Sequence, residues 1–343
     1  MLTFLKKQIS LNSGILLFIV GFSLSSILFF TNAFLTKPDK KAGAAIPTSS
    51  TKDCEITSFR STGFQFTSPL LYVEKSCESP DFLMVKNDIQ RMLAAFKASN
   101  DITTASVYLR DFEHSRWMGV NEHEVYHPGS LSKVPLLMAY LLQSESDPTL
   151  LGKEYLFEQS PAGTLPTPQY QAITIKTGKK YTVKELMRYM IVYSDNNATW
   201  LLSEKIGLKN YEKTFLNLGI SIPILDTNDN TPRISTRDYS VFFRALYNAS
   251  YLTASNSEYA LSLLGGTVFA EGLVNGLPTG TKLVHKFAEW DNGLDFELHE
   301  SGIFYSKGKA FLITVMTRGK QREKLPNVIA SLTRSIYEQV AAP

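Results

Sequence analysis

Ser130 and Lys133 stand three residues apart in "PGSLSKVPLLMAYLL", at the start of a run whose apolar residues recur at helical spacing. On a helix that interval puts a hydroxyl and an amine on one face, a turn apart. An amine whose pKa is lowered by partial desolvation can take the hydroxyl proton and make the serine a nucleophile. The pattern alone says little, because it also occurs at Ser49–Lys52, in a stretch of stalk-like composition, and at Ser306–Lys309, in a turn. Ser130 differs in following "HPG" and opening an apolar helix, where free backbone N–H groups and the positive end of the helix dipole gather. Pro135 falls in the first turn, where its missing N–H would have no helical partner anyway. The competing reading makes Ser130 or Gly129 an N-cap and Lys133 an exposed first-turn residue.

A second group weakens that competing reading. Ser194-Asp195-Asn196, the only such tripeptide in the chain, lies 64 residues after Ser130 at a turn between two helical patterns, "TVKELMRYMIVY" and "NATWLLSEKIG". Ser194 can relay a proton there and Asn196 can bind a substrate amide, although by itself the tripeptide is an ordinary capping sequence. A third stretch, "TKLVHKFAEW", reads as a strand with Lys286 among apolar residues. Lys286 either takes part in chemistry or lays its stem along the sheet with its amine in water. His285, His299 and Glu300 flank this strand pair and read either as groups that tune Lys286 or as structural residues.

Taken together, "PGSLSKVPLLMAYLL", "YSDNNATWLL", "STRDYSVFFRALY" and "HESGIFYSKGKAFLITVMTRG" give the chain, from about Pro80 onward, a sequence that resembles the class A β-lactamases and penicillin-binding serine acyl-enzymes. The third motif of that family is Lys-Thr-Gly, and a literal copy stands at Lys176, Thr177 and Gly178. It precedes Ser194 and leads into a helical pattern, whereas the family's box follows the Ser-Asp-Asn and lies on a strand lining the cleft. The segment in the right order and setting is Lys286, Phe287, Ala288.

The resemblance implies an acyl-enzyme on Ser130, with Lys133 as general base or as part of a relay with Ser194. It implies an oxyanion held by the backbone N–H groups of Ser130 and Glu289, and positive potential from Lys286. Asn196, Phe287, Ala288 and Glu289 would border the substrate. The implied function is a serine hydrolase acting on a β-lactam or a peptidoglycan-like acyl-D-amino-acid peptide; the alternative is a sensor or slow D,D-peptidase that acylates and deacylates poorly. No cofactor or metal is called for.

Two departures bear on substrate and turnover. Class A β-lactamases carry a glutamate on a later loop to activate the deacylating water, but no glutamate occurs here from Lys213 to Ser257, which leaves Asp226 or Asp229 as shorter stand-ins. Phe287 replaces a hydroxyl residue that binds the substrate carboxylate, and Ala288 replaces a glycine that permits close backbone approach. A phenyl ring offers no hydrogen bond, so an anionic ligand loses about 1 to 3 kcal/mol of recognition.

The elements that must position these groups are legible as periodicities. "SPDFLMVKNDIQRMLAAFKAS" predicts a helix starting at Ser79 or Asp81, and "TASVYLRDF" and "RWMGVN" predict a hairpin. A long helical region follows, including "NYEKTFLNLG" and "STRDYSVFFRALYNA". "TKLVHKFAEW", "DFELHESGIFYS" and "KAFLITVMTRG" then predict three strands, and "LPNVIASLTRSIYEQV" a closing helix. Strands at both ends with helices between predict an α+β fold: a five-stranded antiparallel sheet built from both chain ends and flanked by helices, with an all-helical subdomain and a cleft at the seam.

The first forty residues read differently. No charged side chain lies between Lys7 and Lys37, and residues 14–35 are long and apolar enough to cross a bilayer as a helix. They are read as a transmembrane anchor, after a short cytoplasmic segment 1–13, with the rest extracytoplasmic; the rival is a signal peptide cleaved after "TNA", which would release a secreted protein. Residues 36–80 then form a stalk and docking segment, in which "FQFTSPLLYV" would dock, and 81–343 the catalytic domain. Cys54 and Cys77, the only cysteines, both follow the span, which suits a disulfide in an oxidising compartment; two free thiols are the other reading. The 343-residue chain has a net charge of +3, too small to point to nucleic acid, and contains no phosphate-cradling glycine loop, zinc-type cluster or internal repeat.

Overall fold

The computed structural model describes residues 54–159, 170, 173–221, 232–291 and 293–341. The segments 1–13 and 14–35, and Asp226 and Asp229, lie outside the described residues. Among those that are described, no helix is long and apolar enough to cross a membrane.

The expected sheet is present. Strands β3 (Thr104–Asp111), β4 (Arg116–Val120), β9 (Lys282–Asp291), β10 (Phe296–Ser306) and β11 (Lys309–Gly319) form an antiparallel sheet in the order β4-β3-β11-β10-β9. Its register is closed at one end by Lys307 and Gly308, both left-handed (φ 50° and 76°), between the paired residues Ser306 and Lys309. That is the two-residue hairpin geometry whose twist matches the strands. Alternation assigns each strand two faces. Val107, Leu109, Ile313 and Val315 join a core with Ile89 and Leu93 of helix α1 (Leu83–Ala98) and Ile329, Leu332 and Ile336 of α9 (Leu325–Val340). Tyr108, Leu312 and Met316 face the opposite way, into a larger core shared with the helical subdomain.

That subdomain contains α2 (Lys133–Ser146), α3 (Val183–Val192), α4 (Asn196–Ile206), α5 (Leu208–Asn217), α6 (Thr236–Tyr247) and α7 (Ala254–Gly265), with the short α8 (Leu273–Gly276) beyond. Helix α2 is its axis: every residue from Val134 to Leu141 is buried, as its nearly unbroken apolar sequence requires. The region also holds two small β pairs that helical periodicity conceals, β5 (Val125–Tyr126) with β8 (Ile234–Ser235) and β6 (Glu154–Phe157) with β7 (Lys179–Thr182). Helix α7 was not expected from the sequence either, because its polar first half, "ASNSEY", masks the buried Leu261, Leu263 and Leu264.

Ahead of α1, β1 (Ile56–Arg60) and β2 (Leu70–Lys75) form a ribbon held to the helical subdomain. Tyr72 stacks on Phe59 and donates its hydroxyl to Leu218 O at 2.9 Å, while Arg244 donates to Val73 O at 2.8 Å and pairs with Glu74. Cys54 and Cys77 are joined by a disulfide that brackets this ribbon.

Candidate active site

The Ser130 turn is short and tightly docked. Residues Gly129–Ser132 form a 3-10 turn, and the α-helix proper begins at Lys133, so Ser130 precedes α2 by one turn. Gly129 is left-handed (φ 48°), and a Cβ there would lie 2.6 Å from Glu289 O and 3.2 Å from the Ala288 side chain. Only glycine fits, on both grounds, and its bareness lets the turn press against the edge strand β9. Ser132 Oγ donates to Gly129 O, and Tyr239 from α6 donates to Leu131 O at 3.0 Å, fixing the turn from within and from behind.

Ser194 ends α3 and Asp195 starts α4, and this explains the tripeptide. Ser194 takes the left-handed conformation (φ 53°), which is unusual outside glycine and costs about 1 kcal/mol or more. Asp195 then caps α4 by accepting from Asn197 N, and its other oxygen accepts from Ile175 N. The reversal points Ser194 Oγ inward, where it is 1 % exposed.

Two buried amines converge on that hydroxyl. Lys133 Nζ lies 3.1 Å from Ser194 Oγ and also donates to Ser194 O at 2.6 Å and Asn196 Oδ1 at 2.8 Å. Lys286 Nζ donates to Ser194 Oγ at 2.9 Å and to Phe287 O at 2.9 Å. Burial pushes the Lys133 amine down to about 7, against the pull of Asp195 and Glu289. Lys286 is pushed well below the ordinary lysine range by burial and then by the charge of Lys133. Among the described residues, the oxygens these amines bond directly are all uncharged, so no opposite charge in direct contact offsets the desolvation that lowers both. A lysine amine lowered to about 7 and bonded to a buried hydroxyl can exchange a proton with it near neutral pH.

Phe287 is not at an open surface: it is 1 % exposed. Its ring stacks on Phe269 at 4.3 Å, meets Tyr170 edge-on at 6.2 Å, and has Lys286 Nζ 4.2 Å from its centroid. Ala288 lies under Gly129, and Glu289, partly buried, accepts from Tyr170 N at 3.4 Å. Phe269 and Tyr170 escaped sequence reasoning because loop aromatics carry no periodic signal. The literal Lys176-Thr177-Gly178 sits in a turn before β7.

The flanking histidines divide. His285 bonds Glu300 at 2.8 Å, and the second oxygen of Glu300 accepts from Leu273 N. Gly272 is left-handed, and a Cβ there would collide with Glu300 Oε2. Burial raises the Glu300 carboxyl above its usual range, partly offset by His285. His299 turns instead to the Ser130 side, bonding His127 O at 3.1 Å and Glu297 at 3.2 Å. Asp111, Glu113 and His114 come close enough to suggest a metal site, but Asp111 already accepts from Arg116, His114 and the Glu113 N–H, which reads as a staple of the β3–β4 turn.

A five-stranded antiparallel sheet with a helical subdomain, and a lysine pair buried between the end of α3 and β9, define the β-lactamase/transpeptidase-like class of fold. The chain belongs to the β-lactamase enzyme family, a family of hydrolases, whose model matches residues 84–340. Among solved structures, a mutant of PBP-A determined as an acyl-enzyme complex with penicillin G is 21 % identical, with a TM-score of 0.62 over 74 % of this chain and 95 % of that one. A class A β-lactamase from Mycobacterium abscessus is 20 % identical, with a TM-score of 0.64 over 74 % of this chain and 98 % of that one. A β-lactamase from Sphaerobacter thermophilus is 16 % identical, with a TM-score of 0.61 over 74 % and 96 %. At these identities the likeness establishes the fold.

Proposed function

We propose that the protein is a serine hydrolase that forms an acyl-enzyme on Ser130 with a β-lactam or an acyl-D-amino-acid peptide of cell-wall type. The observation that carries this reading is the placement of Ser194 Oγ between Lys133 Nζ and Lys286 Nζ, at 3.1 and 2.9 Å, with both amines buried. Neutral Lys133 takes the Ser130 proton as Oγ attacks the carbonyl carbon. The negative charge on the carbonyl oxygen is held by the N–H groups of Ser130 and Glu289. As the C–N bond breaks, the leaving nitrogen receives a proton through Ser194, which is resupplied by the proton Lys133 took from Ser130, while Lys286 orients the Ser194 hydroxyl by its hydrogen bond. The apolar stretch 14–35 supports a membrane tether with the catalytic domain outside.

A second reading, a sensor or slow D,D-peptidase, is favoured by one observation: no glutamate between Lys213 and Ser257 can activate a deacylating water. Intact-mass spectrometry of the full-length chain in mild detergent, followed over time with penicillin G, separates the two. An adduct that forms and decays supports hydrolysis; one that persists supports the second reading. Folded protein that takes no adduct at any concentration sinks both.

A further inference from the structure

The Ser130 turn is tied to the sheet by a buried ionised carboxylate that the proton relay does not use. Glu297 on β10 is 3 % exposed, and its Oε2 accepts from His127 N at 2.9 Å, across 170 residues of sequence. His299, two residues along and fully buried, accepts from Thr317 N at its Nδ1, so its proton is on Nε2. That N–H is shared between His127 O at 3.1 Å and Glu297 Oε2 at 3.2 Å. The His127 ring then accepts from Gly129 N at 3.1 Å and stacks on Trp290, the register partner of Glu297. Both backbone polar groups of His127 are thus held from β10, and the N–H of Gly129, next to Ser130, is held by the His127 ring that stacks on Trp290 of β9.

The charge that does this is held in place from the other side. Arg318 on β11 donates Nε to Glu297 Oε1 at 2.7 Å, and Arg233 stands 3.9 Å from the same oxygen. Burial works to raise the Glu297 carboxyl, but the bonds from His299 and Arg318 overcome it and hold it down to about 2. A hydrogen bond to a charged acceptor is shorter and about twice as strong as a neutral one, which suits Glu297 to fix a backbone position.

We infer that Glu297, acting through His127 and His299, is a positioning residue that sets the Ser130 turn at its working distance from Glu289. This rests on the acyl-serine reading, in which the N–H groups of Ser130 and Glu289 form one oxyanion hole. Glu289 O stands where a Cβ on Gly129 would be, while the ring of Trp290, the next residue, stacks on His127. Slackening at Glu297 therefore widens the gap between the two donors without removing a group that meets substrate. Oxyanion donors act over a few tenths of an ångström, so the effect falls on the acylation step and not on initial binding.

The test compares Glu297→Gln and Glu297→Ala with the parent, as full-length chains. Two probes, penicillin G and an alkyl fluorophosphonate, are scored by labelling rate per folded molecule, and backbone amide exchange is read at His127 and Gly129. Glu297→Gln keeps one acceptor oxygen but presents N–H donors to Arg318 or His299, and is expected to label about tenfold more slowly; Glu297→Ala is expected to label about a hundredfold more slowly. The half-saturating penicillin concentration for the non-covalent step should stay within twofold, and exchange at both amides should accelerate about tenfold. A merely structural role lowers the folded fraction and leaves labelling per folded molecule unchanged; that result in both variants overturns the inference. If the parent itself takes neither label, the acyl-serine reading fails, and the tether is judged by amide exchange alone: unchanged protection at His127 and Gly129 refutes it, and loss of protection upholds it.

Discussion

Two buried clusters of ionisable groups reach the segment from His127 to Lys133, and they deal with burial in opposite ways. Glu297 keeps its charge, because Arg318 and His299 bond to it directly. Among the described residues, Lys133 and Lys286 bond only uncharged oxygens, those of Ser194, Asn196 and Phe287, and burial lowers both amines below the ordinary lysine range. A carboxylate bonded by a guanidinium keeps its charge and can fix a backbone, while an amine bonded only to neutral oxygens is lowered toward the range of a base at neutral pH. The same buried setting thus yields a structural group or a reactive one, according to what the first hydrogen bonds supply.

Exchanging each cluster's key residue should have opposite effects on stability. Lys133→Met removes an amine that folding must desolvate; acylation is expected to fall by about a thousandfold, while stability to heat or denaturant rises by about 1 to 3 kcal/mol. Glu297→Ala leaves Arg318 facing a void and is expected to cost about 3 to 5 kcal/mol. Equal losses of stability in both variants would break the contrast.

The pH dependence follows from the sign of the lysine shift. Because the folded amine of Lys133 titrates near 7 and the unfolded one near the ordinary lysine value, the unfolded chain binds more protons between those limits. Stability from this group therefore rises with pH from about 7 upward, and its deficit is full below 7. Acylation requires the neutral amine, so its rate should climb about tenfold per pH unit up to about 7 and then level off, with the midpoint belonging to the coupled lysine pair. A rate flat from pH 5 to 8 in a stopped-flow series would contradict the assignment.

The smallest effect concerns the ring over Lys286. Phe287→Thr opens a path from the amine to the mouth of the site and supplies a hydroxyl, so a carboxylate-bearing penicillin should bind about three- to tenfold more tightly than to the parent, while a neutral ester analogue should gain nothing. Equal changes for the two ligands would show that the ring only fills space.

How far these features were legible depends on whether they are local. The sheet and the Ser130 helix follow from periodicity, and order along the chain was enough to prefer Lys286, Phe287, Ala288 over the literal Lys176, Thr177, Gly178, which lies in a turn before β7. Helix α7 and the two small β pairs were hidden by polar sequence or by their length of two to four residues. The bond from His127 to Glu297 spans 170 residues, and the aromatic cluster joins Tyr170, Phe269 and Phe287. No spacing rule connects such residues, because the tertiary fold alone brings them together.

The central claim is that Ser130, not Ser194, carries the acyl group. Peptide mapping of the penicillin G adduct, on the full-length parent and on Ser130→Ala, tests it most directly. The added mass is expected on the tryptic peptide containing Ser130, with none on Ser130→Ala. Mass on the peptide containing Ser194, or an adduct that survives in Ser130→Ala, would contradict it.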